Sequence, residues 1–361
     1  MLIFIDAFGW RFFEQVVDHY PFLKQLAKHG VVSQLTSQFP STTAAHVTAL
    51  NTGLAPAQSG IYEWNQYEPS LDDVICPLSY SRTSERFARE TLVAAGDASV
   101  IYPKCAMYRE WRDLGLKTTL FLPRELIHST YGDTLFDGSE TRPYKTLAEG
   151  LTNLSHAINN RRSRHYYYFY YSGFDSILHQ YGPGSAQAIA ELDLLLIALE
   201  RCLLNVVGGK AKDTLLLLTA DHGMEEVNPK SVVYLNQTVP HFNDWQVRSR
   251  SGALRAPAGS CRDFFLHIKP ECLDEAQDVL ARHLSGKADV RRVDAMISDG
   301  YFGPQPASQR FLDRVGNLVV LPYAGQSMWM YERGRYDMTY RGMHGGLSPN
   351  EMEIPFIACE L

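Results

Sequence analysis

The chain has 361 residues, 45% of them apolar and 20% charged, and a formal net charge of −6. This length holds one large α/β domain with an insertion, or two ordinary domains. The acidic balance argues against a partner that is a nucleic-acid polymer, because such binding draws on clustered Lys and Arg.

Residues 2–5 form an apolar run that ends at Asp6, with Gly9 shortly after. Open α/β sheets place their chemistry at such strand ends. Next, Phe39-Pro40-Ser41-Thr42-Thr43 precedes a helix-like stretch that closes at Thr52-Gly53-Leu54-Ala55-Pro56. Hydroxyls at a helix start are default caps, and the same place offers backbone N–H groups to a phosphate. Tyr62, Trp64 and Tyr67 follow; they suit a pocket that stacks a flat group, although ordinary packing accounts for at least two of them.

Residues 98–102 and 117–122 are strand-sized apolar runs. A tyrosine run over 166–171 leads through Ser172 and Gly173 to Asp175, and His179 lies four residues on, on the same face if the segment is helical. Ala, Leu and Ile recur at helical spacing over 186–204. The apolar run 214–219 then stops at Asp221-His222-Gly223-Met224. Taken alone, Asp-His-Gly reads equally as a turn in which Asp221 caps a helix and Gly223 supplies a positive φ.

From 228 to 338 the texture changes, with prolines and glycines punctuating shorter elements: a strand at 263–268, an amphipathic helix at 273–284 and a strand at 317–322. Beyond this stretch, Gly342-Met343-His344-Gly345-Gly346 sets a histidine among glycines, a context that suits close approach of backbone to a ligand. Strands alternating with helices predict an α/β fold with a mostly parallel central sheet covered on both faces. We read 1–227 with 339–361 as the core and 228–338 as an inserted α+β cap, since His344 must return to the core. A second, less distinct insertion is read at 76–150.

Asp6, Asp175, His179, Asp221, His222 and His344 together are three carboxylates and three imidazoles, a natural ligand set for two divalent ions of the zinc or manganese kind. A threonine hydroxyl is a poor nucleophile near neutral pH, and coordination to such an ion converts it to an alkoxide. His46 reads as a helix residue, His241 as a surface or cap residue, and His267 as structural. His19, His29, His128, His156, His165 and His283 lack a partner carboxylate and glycine pattern.

Asp6, Thr43, Asp175-x-x-x-His179 with Gly182-Pro183, Asp221-His222-Gly223-Met224 and Gly342-Met343-His344-Gly345 follow an order that resembles the alkaline phosphatase superfamily. Within it, Phe39-Pro40 and its hydroxyls, Thr52-Gly53-Leu54, Pro56 and Ser59-Gly60-Ile61 are similar to the nucleotide pyrophosphatase and type I phosphodiesterase branch. The resemblance implies an αβα sandwich, with one zinc on Asp175, His179 and His344 and the other on Asp6, Asp221 and His222. Thr43 is implied as nucleophile and ligand, forming a phosphothreonine; its distance to Thr52-Gly53 fits the branch, and the adjacent Thr42 is the alternative. Where the branch has an asparagine that grips a phosphoryl oxygen, this chain has Trp64, with Asn65 beside it.

The implied reaction is hydrolysis of small phosphodiesters, nucleotides among them, with no organic cofactor. Phosphomonoester or phosphonate hydrolysis on the same core is the second reading, and a non-catalytic metal-binding relative the third. The Cys/Ser-x-Pro-x-Arg nucleophile motif of the sulfatase branch is absent, and the phosphoglycerate mutase branch uses serine. Six scattered cysteines without CxxC spacing fit a reducing compartment. With no basic leader and no run of ~20 apolar residues to span a bilayer, the sequence predicts a cytoplasmic protein without a membrane partner.

Overall fold

The computed structural model describes residues 1–85, 88–209, 211 and 213–361. A seven-stranded sheet runs in the order Val31–Thr36, Glu353–Glu360, Leu215–Thr219, Leu2–Ile5, His165–Tyr171, Lys117–Pro123, Glu140–Tyr144. Leu2–Ile5 lies near its centre, parallel to both neighbours, with Leu2 opposite Tyr168 on one side and Leu217 on the other. Glu353–Glu360 alone runs against the other six strands and is antiparallel to both neighbours. Central strands covered on two faces must be apolar throughout, and all four residues of Leu2–Ile5 are buried.

The side-chain alternation of that strand separates two cores. Ile3 and Ile5 join Phe12, Leu23, Leu154, Leu195 and Leu218, under the helices Trp10–Val16, Pro21–His29, Leu147–Asn159 and Ala186–Ala198. Leu2 and Phe4 join Ala44, Val47, Tyr108, Leu120 and Tyr168, under the helix Thr43–Thr52. The result is an αβα sandwich.

A second, antiparallel sheet orders Ala258–Ser260, Asp263–Leu266, Leu318–Pro322 and Ala288–Arg292. Phe264 and Leu266 pack with Ala276 and Leu280 of the helix Leu273–His283. Phe265, on the opposite face, packs with Phe39, Tyr62 and Tyr67 and so seals this sheet against the segment around the helix Thr43–Thr52. A short three-stranded sheet (Gln66–Glu68, Asp73–Cys76, Ser81–Arg82) adjoins it, and Gly259 N donates to Asn65 O at 2.6 Å.

Two expectations change. Residues 98–102 form no strand: Ala98–Val100 is a 3₁₀ turn capped by Asp97, whose carboxylate accepts from Ser99 N at 2.8 Å. Such a local side-chain bond competes with a sheet ladder, and the apolar character comes from Ile101 and Tyr102, which are buried. The stretch 76–150 is not a separate insertion either, because Lys117–Pro123 and Glu140–Tyr144 are strands of the main sheet. Among the described residues no helix is long and apolar enough to cross a membrane, and all six cysteines are free.

Candidate metal centre

Parallel strands end at one edge of a sheet, so the carboxylates that follow them come together there. Asp6 follows Leu2–Ile5, and Asp221 and His222 follow Leu215–Thr219. The helix Gly173–Tyr181, beginning just after His165–Tyr171, carries Asp175 and His179 one turn apart. His344 arrives from the two-residue strand Gly342–Met343, which pairs with Glu225–Glu226 just beyond His222. No helix follows Asp221, which therefore caps nothing. Gly223 is required for another reason than turn geometry: a Cβ there would lie 2.1 Å from Asn350 O.

The three imidazoles are oriented alike. His179 Nδ1 donates to Gly342 O at 2.8 Å, His222 Nδ1 to Gly223 O at 2.8 Å, and His344 Nδ1 to Ser41 O at 2.8 Å. A carbonyl can only accept, so each Nδ1 carries a proton and each ring turns Nε2 toward the carboxylates. This is the orientation that partners of metal-binding histidines impose. His222 Nε2 is 3.5 Å from Asp6 Oδ1 and 3.6 Å from Asp221 Oδ2. His179 and His344 place theirs 3.4 and 3.9 Å from Asp175 Oδ1. Burial holds His222 and His344 well below the ordinary histidine range, reinforced at His344 by the neighbouring imidazoles, so both stay neutral.

The carboxylates are crowded. Asp6 and Asp221 are buried. Burial first, then the charges of Asp221 and Asp175, raise Asp6 well above its usual range against the hydrogen bond from Tyr170. Burial raises Asp221, and lifts Asp175 to about 6 although His179 opposes it. Asp221 Oδ1 accepts from Ala7 N and His222 N, both at 3.0 Å. By contrast, Asp221 Oδ2 and Asp175 Oδ1 are buried without a hydrogen-bond donor. Among the described residues no Lys or Arg forms an ion pair with any of the three.

Three crowded carboxylates, two of them with an orphaned oxygen, and converging Nε2 atoms fit divalent cations, which would supply the missing positive charge. Two groups of atoms each lie within 4.8 Å of one another: Asp6, Asp221 and His222, and Asp175, His222 and His344. His222 is thus within reach of both groups, and His179 adjoins the second. Thr43, first residue of its helix, sets Oγ1 3.2 Å from His222 Nε2 and 3.4 Å from Asp6 Oδ1. No side chain caps that helix end.

A cleft of about 470 Å³ opens over Thr43, Asp175, His179 and His344. Trp64 lines it and is 43% exposed, whereas Tyr62 and Tyr67 are buried packing residues. Asn65 also lines it, with its amide engaged by Gly259 O at 3.0 Å and Thr83 Oγ1 at 2.9 Å. Trp329, Tyr336 and Tyr340 contribute further aromatic wall. His46 is more than a helix residue: it is half-buried, and its Nε2 lies 2.7 Å from Ser37 Oγ, which donates to Asp221 O at 2.6 Å.

Sequence reasoning missed Tyr170, the phenol that donates to Asp6 Oδ2. It also missed Glu63, a fully buried carboxyl on the cleft that burial pushes up to about 7. Glu63 directly precedes the Trp64 already singled out; that proximity was the available signal.

A family model described as type I phosphodiesterase / nucleotide pyrophosphatase matches residues 1–347. Among solved structures, murine ectonucleotide pyrophosphatase / phosphodiesterase 5 is similar, with 17% identity and a TM-score of 0.71 over 99% of this chain and 87% of that one. A structure of the same murine protein, an inactive threonine-to-alanine variant in complex with AMP, shares 16% identity at a TM-score of 0.69, over 99% and 87%. Phosphonoacetate hydrolase from Sinorhizobium meliloti 1021, in complex with phosphonoformate, shares 19% identity at a TM-score of 0.66, over 99% and 88%. At these identities the likeness is one of fold. No curated protein matches the chain.

Proposed function

The chain belongs to the type I phosphodiesterase / nucleotide pyrophosphatase family of phosphoester hydrolases, and on that premise we propose that it is a two-metal phosphodiesterase acting on nucleotide-like or other small diesters through a phosphothreonine at Thr43. The observation that carries this reading is the convergence of three Nδ1-anchored imidazoles and three carboxylates beside the Thr43 hydroxyl. Asp6, Asp221 and His222 would hold one ion, and Asp175, His179 and His344 the other, with zinc preferred for this nitrogen and oxygen set. Ions bound there supply Lewis acidity, lowering the pKa of a coordinated hydroxyl and offsetting charge on the phosphoryl oxygens.

Thr43 Oγ1 loses its proton and attacks phosphorus in line, the bond to the leaving alcohol or phosphate breaks, and the leaving oxygen ends protonated. Water then attacks the phosphothreonine, which still carries the second ester group of the diester, giving a phosphate monoester and returning a proton to Thr43. Holding the nucleophile at the first helical position places the uncapped N–H groups of that helix beside the phosphoryl oxygens. The inactive threonine-to-alanine variant of the murine relative supports a threonine in this role, and its AMP a nucleotide-like ligand.

We read 1–227 with 339–361 as the catalytic core and 228–338 as a cap that completes the cleft through Ser260, Trp329 and Tyr336. The free cysteines support a reducing compartment, the cytoplasm. Trp64, in place of the expected asparagine, favours phosphomonoester or phosphonate hydrolysis as the second reading. Metal content and cleavage of bis-p-nitrophenyl phosphate and p-nitrophenyl phosphate, before and after chelation, separate the two. Faster, chelator-sensitive diester cleavage is expected; faster monoester cleavage transfers the assignment to the second reading.

A further inference from the structure

Away from the candidate ligands, Arg262 and Glu351 form an ion pair with both side chains fully buried. Arg262 Nε donates to Glu351 Oε1 at 2.9 Å and Nη2 to Oε2 at 2.8 Å, a bidentate fork, while Nη1 donates to Tyr323 O at 2.8 Å. The same carboxylate oxygens accept from Gly346 N at 3.0 Å and Ser348 N at 3.2 Å. Gly346 is two residues past His344. The backbone of Glu351 reaches the other histidine loop, its O accepting from Gly223 N at 2.8 Å. From the arginine side, Ser260 Oγ accepts from Arg262 N at 3.0 Å and donates to His344 O at 2.9 Å.

A buried ion pair is weak evidence for stability, because desolvation offsets much of its attraction. Its geometry is another matter: a carboxylate that takes four N–H donors has its plane and position set. Gly346 fits that plane only without a side chain, since a Cβ would lie 2.9 Å from Glu351 Oε2. The molecule contains its own contrast. Arg314 and Glu68 form a second buried ion pair, with Arg314 also donating to Gly60 O at 2.8 Å and Ile101 O at 3.1 Å. That pair bonds to neither histidine loop.

We propose that the Arg262–Glu351 pair is a positioning device that locks the loop after His344 against the loop after His222 and so sets the affinity of the ion on His344. This rests on the two-ion reading above. Partners of metal-bound histidines change ion affinity by roughly 10–100-fold when altered, and this pair acts through the backbone that carries the ligand.

The test titrates the zinc-loaded protein with a competing chromogenic chelator and records melting temperature alongside. The wild type should hold two ions. Glu351→Gln should release one of them 10–100-fold more readily, with turnover restored by excess zinc. Glu68→Gln should lower the melting temperature comparably while both ions stay as tight as in the wild type. Arg262→Lys keeps the charge, loses the fork, and reads the same contact should Glu351→Gln fail to fold. Variants that melt earlier but hold both ions as tightly as the wild type overturn the proposal alone. A wild type that holds fewer than two ions overturns the two-ion reading and the proposal with it.

Discussion

The parallel core and the antiparallel sheet of residues 258–322 are built to different ends. In the core, buried apolar strands stop at one edge and leave Asp6, Asp221 and His222 almost wholly buried beside the sheet. The second sheet spends both faces on packing, Phe264 and Leu266 on one and Phe265, Val319 and Leu321 on the other. It carries none of the candidate ligands and contributes Ser260 and Cys261 to the cleft wall. A rigid strand end holds a reacting group within the small tolerance that chemistry needs, whereas a wall can vary without disturbing it. Changes in the first region should therefore strike turnover, and changes in the second should alter substrate preference or stability.

The largest expected effect is that of Thr43→Ala, which should lower kcat for a diester by about 10³-fold or more while the ions remain, more weakly held. Near-native turnover would remove Thr43 from its role. His222→Ala should come next, because His222 would hold one ion with Asp6 and Asp221; metal analysis should show loss of that ion alone, and loss of both would show that its Nε2, within reach of both candidate groups, serves the two. Trp64→Ala tests the wall, and should raise KM for an aromatic diester several-fold with kcat little changed, the value expected of one stacking contact. An equal fall in kcat would move Trp64 into the reacting centre.

The effect that leaves turnover least changed concerns stability in the second region. Burial first, and then the Arg255 charge, press His267 down to about 4, against about 6.5 in an unfolded chain. Between those values the unfolded chain binds more protons, so stability falls as pH drops from about 6.5 toward 4, by roughly 3 kcal/mol in all. His267→Gln should flatten this part of the profile relative to the wild type. Parallel slopes would show that His267 is not the group responsible.

Much of the core was legible because an apolar run that stops at Asp or Asp-His, as at Asp6 and Asp221-His222, is a local signal, and five motif segments came in family order. The strand error at 98–102 came from burial without pairing: Ile101 and Tyr102 are core residues at the end of a 3₁₀ turn. Tyr170 was hidden inside a run of tyrosines whose alternation reads the same whether a phenol meets Asp6 or only packs. Arg262 and Glu351 are 89 residues apart, and no spacing rule links them. The glycines around His344 were legible as necessary but misread in purpose. At Gly342 a Cβ would lie 2.4 Å from Leu178 O, and at Gly345, with φ +122°, 2.6 Å from Asp263 Oδ1. They admit protein neighbours.

The most direct test of the central claim is to quench the enzyme during turnover of a phosphorus-labelled diester, digest it, and map the covalent label by mass spectrometry. The label is expected on Thr43, as a phosphoryl group that keeps the second ester of the diester, and should disappear on further incubation with the ions present. Label on Thr42, or turnover with no covalent phosphoenzyme and inversion at phosphorus, would contradict it.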